Sequence, residues 1–221
     1  MSSPIRQRHE LFHILPDSPS YPKEARLFLA DRAPGAIAAL GNLEVLQTKK
    51  LALFCSVRCP GKLILATHDF CQELRNESVT VVGGFHSPVE RECLSILLRG
   101  AGRIIICPAR GLEGIRMRAG LKGAMDQGRM LFLSPFKAHQ RRATAQMAVY
   151  RNRFVAAVAG AIFVAHARPT GKTEQFCREV RGWGKAVYTL DSDLNANLID
   201  LGAKPVEQGV IALPDAAGPV S

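Results

Sequence analysis

Six short segments of this sequence are apolar along almost their whole length instead of alternating between apolar and polar residues. Alternation is typical of a strand with one face in water, whereas an unbroken apolar segment is typical of a strand covered on both faces in a parallel sheet. Helical patterns separate most of them by roughly 15 to 30 residues, as crossovers between parallel strands require. The predicted strands are Leu51–Val57, Val79–Val82, Arg103–Cys107, Arg129–Leu133, Ala161–His166 and Ala186–Leu190.

These segments predict an α/β fold with a Rossmann-like, doubly wound and mostly parallel sheet and helices on both faces. The core domain is placed at residues 50–206. Residues 1–49 are interpreted as an N-terminal lead-in. Within it, residues 1–22 are expected to be irregular because they contain four prolines, and Ala36–Leu40 is expected to be a short helix. Residues 207–221 are expected to form a short C-terminal tail.

The positive charge is concentrated in one segment. The sequence carries a formal charge of +10, and residues 103–153 contain eleven Lys and Arg against two acidic residues, so nine of the ten net charges lie there. Nine of the eleven are Arg, whose planar guanidinium binds phosphate with two parallel hydrogen bonds. We therefore favour a polyanionic partner; a merely solvated basic surface is the alternative.

Neither a metal, a cofactor nor a disulfide is expected. The six cysteines contain no Cys-x-x-Cys spacing of the kind that zinc sites use, so reduced and mostly buried thiols are predicted. No segment approaches the roughly 20 apolar residues of a membrane span, and the N-terminus lacks the apolar core of a secretion signal. The expected location is the cytoplasm, with no membrane partner.

Ligands of open α/β sheets bind beyond the carboxyl ends of the strands, so the loops that follow the predicted strands contain the candidate binding residues. These residues are Ser56, Arg58, Gly83, Gly84, Arg110, Arg116, Arg118, Thr170, Gly171, Lys172 and Thr173. The segment Arg151–Arg153, at the entrance of a helical run, is a further candidate. No catalytic residue is assigned, and we favour a protein that is not an enzyme.

Each candidate has a structural alternative. Thr170–Thr173 begins a predicted helix, where backbone N–H groups and the helix dipole favour an anion, but it is also compatible with an ordinary helix start. It is not a P-loop, because His166 occupies the position of that motif's first glycine. The pair Gly83-Gly84 permits close approach of a ligand or simply a turn, and Arg58 either binds phosphate or is only exposed. Arg151 and Arg153 either clamp phosphate or pair with carboxylates.

Another helix start follows the second predicted strand. Ser87 as N-cap, Pro88 at the first helical position and Glu90 at the third are typical of a capping box.

The order of these motifs resembles that of the DNA-processing protein A (DprA/Smf) family from about Tyr21 to Val206. The segments that carry the resemblance are Tyr21-Pro22, Ala52–Arg58, Val81–Gly84, Tyr150–Ala157, Thr170–Thr173 and Asn197–Val206. The most specific of them are Arg151-Asn152-Arg153 and the segment Asn197-Leu-Ile-Asp-Leu-Gly-Ala203. The sequence departs from the family pattern at Cys55, which replaces a glycine of the first loop.

The resemblance implies a homodimeric protein that binds single-stranded DNA during DNA uptake and recombination and helps to load a RecA-type recombinase. It also implies that certain residues line the ligand pocket, namely Ser56, Arg58, Gly83, Arg151, Asn152, Arg153, Gly171 and Thr173. Phe132, Phe136 and Tyr150 are candidates for stacking on bases.

Two other functions stay open at this point. The wider superfamily includes nucleotide-binding sensors and N-glycoside hydrolases of nucleotides, for which an acid such as Glu90 or Glu174 would have to lie near the sugar. A structural dimer with a vestigial crevice is the other alternative.

Overall fold

A computed structural model describes residues 10–115, 117 and 119–206. In these residues nine strands form one sheet. The strands are β1 Leu11–Ile14, β2 Ile37–Gly41, β3 Lys50–Phe54, β4 Thr80–Gly83, β5 Ile104–Ile106, β6 Met130–Ser134, β7 Ala161–Val164, β8 Ala186–Leu190 and β9 Lys204–Val206. Their order is β1-β2-β6-β5-β4-β3-β7-β8-β9. The strands from β6 to β9 in this order are parallel, and β1 and β2 are antiparallel to their neighbours.

Helices cover both faces of the sheet. They are α1 Lys23–Leu29, α2 Gly61–Leu74, α3 Pro88–Leu97, α4 Ala119–Asp126, α5 Ala145–Val158, α6 Lys172–Gly182 and α7 Ala196–Asp200. Two apolar clusters separate them from the sheet: α1, α5, α6 and α7 pack on one face, and α2, α3 and α4 on the other. In β7, Ile162 belongs to the first cluster and Phe163 to the second. This two-sided burial explains the unbroken apolar strands.

The predicted fold class is confirmed, and each of the six predicted strands overlaps an observed one. The predicted helix at Ala36–Leu40 is wrong, because this segment is β2, which pairs with β1 on one side and β6 on the other. The predicted irregular structure of residues 1–22 is wrong at Leu11–Ile14, which forms β1. Residues 11–41 thus add two strands to the sheet of residues 50–206, and the predicted tail at 207–221 lies outside the described residues.

The ammonium group of Lys185 is buried at the end of α5, where it donates hydrogen bonds to the carbonyl oxygens of Ala157 and Ala159. Burial lowers the pKa of Lys185 from 10.5 to about 8, against the opposing effect of Glu24. Between these two pH values the unfolded chain holds a proton that the folded protein has lost. The free energy of unfolding therefore rises with pH in this window.

A Lys185→Met variant lacks this titrating group. Between about pH 7.5 and about pH 9.5 we expect the wild type to gain about 2 kcal/mol in free energy of unfolding relative to this variant. Urea denaturation at both pH values measures it, and the comparison cancels groups that titrate equally in the two proteins. A difference that does not change with pH would contradict the lowered pKa.

Candidate functional site

The winding of the sheet changes direction at β3. From β3 the chain continues through β4, β5 and β6 on one side, and β7 then lies on the other side of β3. Diverging connections leave an opening beyond the carboxyl ends of β3 and β7, which is the usual ligand position in open α/β sheets. A cavity of about 570 Å³, here called the crevice, lies at this point between the loops after β3 and β4 and the helices α5 and α6.

One wall of the crevice is apolar. The rings of Phe54 and Phe176 meet edge to face with their centres 4.9 Å apart, and both residues line the crevice. Val57 and Val149 also line it and are 72% and 46% exposed. A flat apolar ligand group can contact this wall with little rearrangement of the protein.

The carboxylate of Glu90 holds two loops of the crevice together. Its Oε1 accepts a hydrogen bond of 3.0 Å from the backbone N–H of Cys55, after β3. Its Oε2 accepts bonds of 2.8 and 3.3 Å from the N–H groups of His86 and Ser87, after β4. The predicted capping box is confirmed, since the Ser87 side chain accepts from the N–H of Glu90 at 3.2 Å. Glu90 is buried, so this carboxylate positions backbone.

The guanidinium of Arg151 is also buried and forms part of the floor. Its Nη1 donates to the carbonyl of Cys107 at 2.9 Å, and its Nε donates to Oδ1 of Asn152 at 2.8 Å. Gly84 makes room for it, because a Cβ at that position would lie 1.6 Å from Nη1. Burial lowers the pKa of Arg151, and the negative charge of Glu90 acts in the opposite direction. The guanidinium of Arg151 therefore has hydrogen-bond partners within the protein. That it also contacts a ligand stays a prediction.

Arg153 lines the crevice in an ion pair. Its Nε and Nη2 donate to the two carboxylate oxygens of Glu179 at 2.7 and 3.0 Å, and both side chains are about 70% buried, with 29% and 28% exposed. This is the carboxylate pairing that the sequence left as the alternative for this residue. The pair joins α5 to α6 and leaves the crevice with less free positive charge than the sequence indicates.

Helix α6 starts at the edge of the crevice without a side-chain cap. Gly171 is its N-cap residue, Lys172 is exposed, and Thr173 lines the crevice. Thr170 has a φ of +59° and donates its N–H to Oε2 of Glu174 at 3.1 Å. An uncapped helix start beside a free ammonium group favours an anion.

The carboxylate of Glu174 is fully engaged. Its Oε2 also accepts from Nδ2 of Asn197 at 2.6 Å, and this hydrogen bond, with that from Thr170, holds the pKa of Glu174 below its usual value. Arg178 approaches Oε1 at 3.5 Å. An acid that is ionised and bonded in this way is poorly suited to act on a sugar.

The loop after β3 contacts the loop after β7. The Ser56 N–H donates to the carbonyl of His166 at 2.9 Å, and its hydroxyl accepts from the N–H of Arg168 at 3.2 Å. Ser56 therefore joins the loops after β3 and β7 and does not line the crevice. Arg58, two residues later, is exposed, and Gly83 is buried at the end of β4.

The basic residues of segment 103–153 do not gather at one edge of the sheet, contrary to expectation. Arg103 and Arg129 lie at the amino ends of β5 and β6, on the edge away from the crevice. Arg129 is tied to the carbonyls of Leu98 and Gly102. The predicted site residues Arg116 and Arg118 lie outside the described residues. Arg110 is half-buried in the loop after β5, and Arg141 pairs with Glu113 at 3.0 Å.

The aromatic residues that the sequence offered for base stacking do not line the crevice. Phe132 is buried within β6, so its predicted stacking is wrong. Phe136 packs edge to face on Tyr150, whose hydroxyl donates to the carbonyl of Arg32 at 2.6 Å. The sequence reasoning missed Phe176 instead. Phe176 follows Thr173 by three residues, so both lie on one face of α6, and this spacing indicates that Phe176 faces the same side as the candidate residue Thr173.

The segment His9–His13 has the His-Glu-x-x-His spacing of a zinc site, a motif the sequence interpretation overlooked. That motif binds zinc when a helix brings both histidines to one face. His13 lies in strand β1 instead. Within the described residues no cluster of three metal-binding side chains occurs.

The sequence matches the family model of DNA recombination-mediator protein A over residues 12–212, which is most of the chain. The chain belongs to this family. The resemblance predicted from Arg151-Asn152-Arg153 and Asn197–Val206 is thereby confirmed. The family places the protein among those that process DNA.

Two solved structures of DNA processing protein A are similar in fold to this family member. The protein from Streptococcus pneumoniae is 23% identical, with a TM-score of 0.74 over 92% of this chain and 72% of that chain. The protein from Helicobacter pylori is 19% identical, with a TM-score of 0.72 over 90% of this chain and 91% of that chain, and its structure concerns a unique mode of single-stranded DNA binding. No curated protein matches this sequence significantly.

None of the helices in the described segments combines the length and the hydropathy that a membrane crossing requires.

Proposed function

We propose that this family member binds single-stranded DNA in the crevice. The observation that carries the proposal is the combination of an open apolar wall, made by Val57, Val149 and Phe176, with the uncapped start of α6 at Lys172. A nucleotide unit has the same two parts, an apolar base face and a charged phosphate. Membership of a DNA-processing family and the single-stranded DNA bound by the Helicobacter pylori relative support this assignment.

The apolar wall and the start of α6 interact with different groups of the nucleotide. A base that is unpaired exposes both faces, and stacking or apolar contact on such a face contributes about 1–3 kcal/mol per base. Phosphate at the start of α6 gains from the helix dipole and from the Lys172 ammonium group. In a duplex the base faces are covered, so the wall favours single strands.

The arrangement gives little support to the nucleotide hydrolase alternative. The carboxylates of Glu90 and Glu174 are the acids beside the crevice that the sequence offered, and both are held by hydrogen bonds from within the protein. Homodimer formation, contact with a RecA-type recombinase, a role in DNA uptake and a cytoplasmic location belong to the same proposal. They rest on the family resemblance.

A salt titration tests the proposal. We expect a fluorescently labelled oligothymidylate to bind with an affinity that falls steeply between about 50 and about 200 mM salt, because phosphate contacts release counterions. Fluorescence anisotropy measures the affinity. A hairpin duplex of equal charge serves as control and is expected to bind at least about tenfold more weakly, since its bases are stacked. Displacement of the oligonucleotide by micromolar nucleoside monophosphate would favour a nucleotide sensor instead.

A further inference from the structure

Asn197 lies on α7 and contacts the segment that leads from β7 into α6. Its Nδ2 donates two hydrogen bonds, one to the carbonyl oxygen of Ala167 at 3.1 Å and one to Oε2 of Glu174 at 2.6 Å. The same Oε2 accepts the N–H of Thr170 at 3.1 Å. A single amide group therefore ties α7 both to the loop after β7 and to the first turn of α6.

The helices α3 and α6 both have a glutamate at their third position, Glu90 and Glu174, but their first turns differ. In α3 the Ser87 side chain closes the start, because its hydroxyl accepts the N–H of Glu90 at 3.2 Å. In α6 the N-cap residue is Gly171, which has no side chain. No described residue accepts a hydrogen bond from the first three N–H groups of α6. The start of α6 thus keeps backbone donors available for a ligand.

A free carboxylate in the first turn of α6 would compete with phosphate for these donors. A glutamate at the third helical position can reach back over the helix start, where the positive end of the helix dipole attracts its charge. In this structure Oε2 of Glu174 is directed to Asn197 and to the Thr170 N–H, and Oε1 lies 3.5 Å from Arg178. The Glu174 side chain is only 12% exposed. Both carboxylate oxygens are therefore held, and neither accepts from the open N–H groups.

We propose that Asn197 is a positioning residue for DNA: by holding the carboxylate of Glu174, it keeps the start of α6 open to a phosphate group. This inference rests on the proposed function, which places phosphate at that helix start. Asn197 itself does not line the crevice, so it acts through Glu174 and through the loop at Ala167.

A double-mutant cycle tests the proposal, with the affinity for labelled oligothymidylate measured by fluorescence anisotropy. We expect Asn197→Ala to bind about tenfold more weakly than the wild type, because the released carboxylate competes with phosphate. Glu174→Gln keeps an oxygen that accepts from Thr170 and Asn197 but removes the charge, so it should bind about threefold more tightly. In the Glu174→Gln background, Asn197→Ala should cost less than about threefold. This dependence on Glu174 separates positioning from a general loss of stability.

Asn42→Ala is the matched control at the opposite edge of the sheet. The Nδ2 of Asn42 donates to the carbonyl of Gly128 at 2.7 Å, and its Oδ1 accepts the N–H of Glu44 at 3.0 Å. This variant also loses two hydrogen bonds of an asparagine side chain, so its affinity shows what such a loss does far from the crevice. We expect it to bind within about threefold of the wild type.

Three results would overturn the proposal. They are wild-type affinity in Asn197→Ala, an equal loss of affinity from Asn197→Ala with and without Glu174→Gln, and weaker binding by Glu174→Gln alone. The last variant retains both hydrogen bonds at Oε2, so it decides the matter even if Asn197→Ala does not fold.

Hydrogen exchange gives a measurement that needs no DNA. By NMR, the Thr170 amide should exchange at least about fivefold faster in Asn197→Ala than in the wild type, and at the wild-type rate in Asn42→Ala. An unchanged rate in Asn197→Ala would refute the hold on the helix start. If the wild type does not bind oligothymidylate, the proposed function fails and Asn197 has no phosphate to position, whereas faster exchange would still show that Asn197 holds the start of α6.

Discussion

Replacing Lys172 and Arg58 together by alanine is expected to lower the affinity for single-stranded DNA about a hundredfold at low salt. Both side chains are exposed: Lys172 lines the crevice at the start of α6, and Arg58 follows the crevice residue Val57 in the loop after β3. Each loses a charge-assisted contact with phosphate, which is worth about 1.5 kcal/mol or more. The slope of log affinity against log salt should also become shallower by about two, because two fewer counterions are released.

The matched control removes the same charge at the other edge of the sheet. Arg99 and Arg103 are both exposed at the amino ends of the strands, so their double alanine variant should bind within about threefold of the wild type. Fluorescence anisotropy at two salt concentrations measures all three proteins. If the two double variants lose equal affinity, the binding is diffuse and does not use the crevice.

Glu90→Ala is expected to lower the free energy of unfolding by about 4 kcal/mol. The change leaves the backbone N–H groups of Cys55, His86 and Ser87 without their acceptor, and an orphaned buried donor costs about 1–3 kcal/mol. It also removes the negative charge that faces the buried Arg151 guanidinium, and an unpaired buried charge is strongly destabilising. Urea denaturation measures the loss.

Two further variants separate the effect of the lost hydrogen bonds from the effect of the lost charge, and both from a general effect of truncating a side chain on α3. Glu90→Gln retains one acceptor oxygen, so its loss should be about half as large. Glu92→Ala truncates an exposed residue of the same helix that pairs with His68, and its effect should stay within about 0.5 kcal/mol. An unchanged midpoint for Glu90→Ala would show that the carboxylate does not hold the two loops.

The six central strands were predictable because each is apolar on both faces and is bounded by turn residues. The segment Ala36–Leu40 was not, since a five-residue apolar run fits a buried strand and a helix equally well. Its pairing with Leu131–Ser134 of β6 decides the outcome, and those partners lie about ninety residues away. The capping box at Ser87 was predictable because all its members are within four residues.

The candidate site was predictable in position and only partly in composition. The order of strands and loops predicted a site in the loops that follow the strands, and the crevice lies beside the loops after β3 and β4. The sequence left open whether Arg153 clamps phosphate or pairs with a carboxylate, and Glu179, twenty-six residues later, forms the pair. Phe132 and Phe176 are both aromatic, and only packing decides that the first is in the core and the second faces the crevice.

The sequence alone determined the strand–helix alternation, the family and the edge of the sheet where the crevice lies, because these follow from local periodicity and short motifs. Only the tertiary structure decided which charges are free. A guanidinium is a cation in every sequence, but its availability depends on what surrounds it. The guanidinium of Arg151 donates to a carbonyl oxygen and that of Arg153 to a carboxylate, whereas the Lys172 side chain is exposed to solvent. Only long-range packing brings the two acceptors close to the arginines.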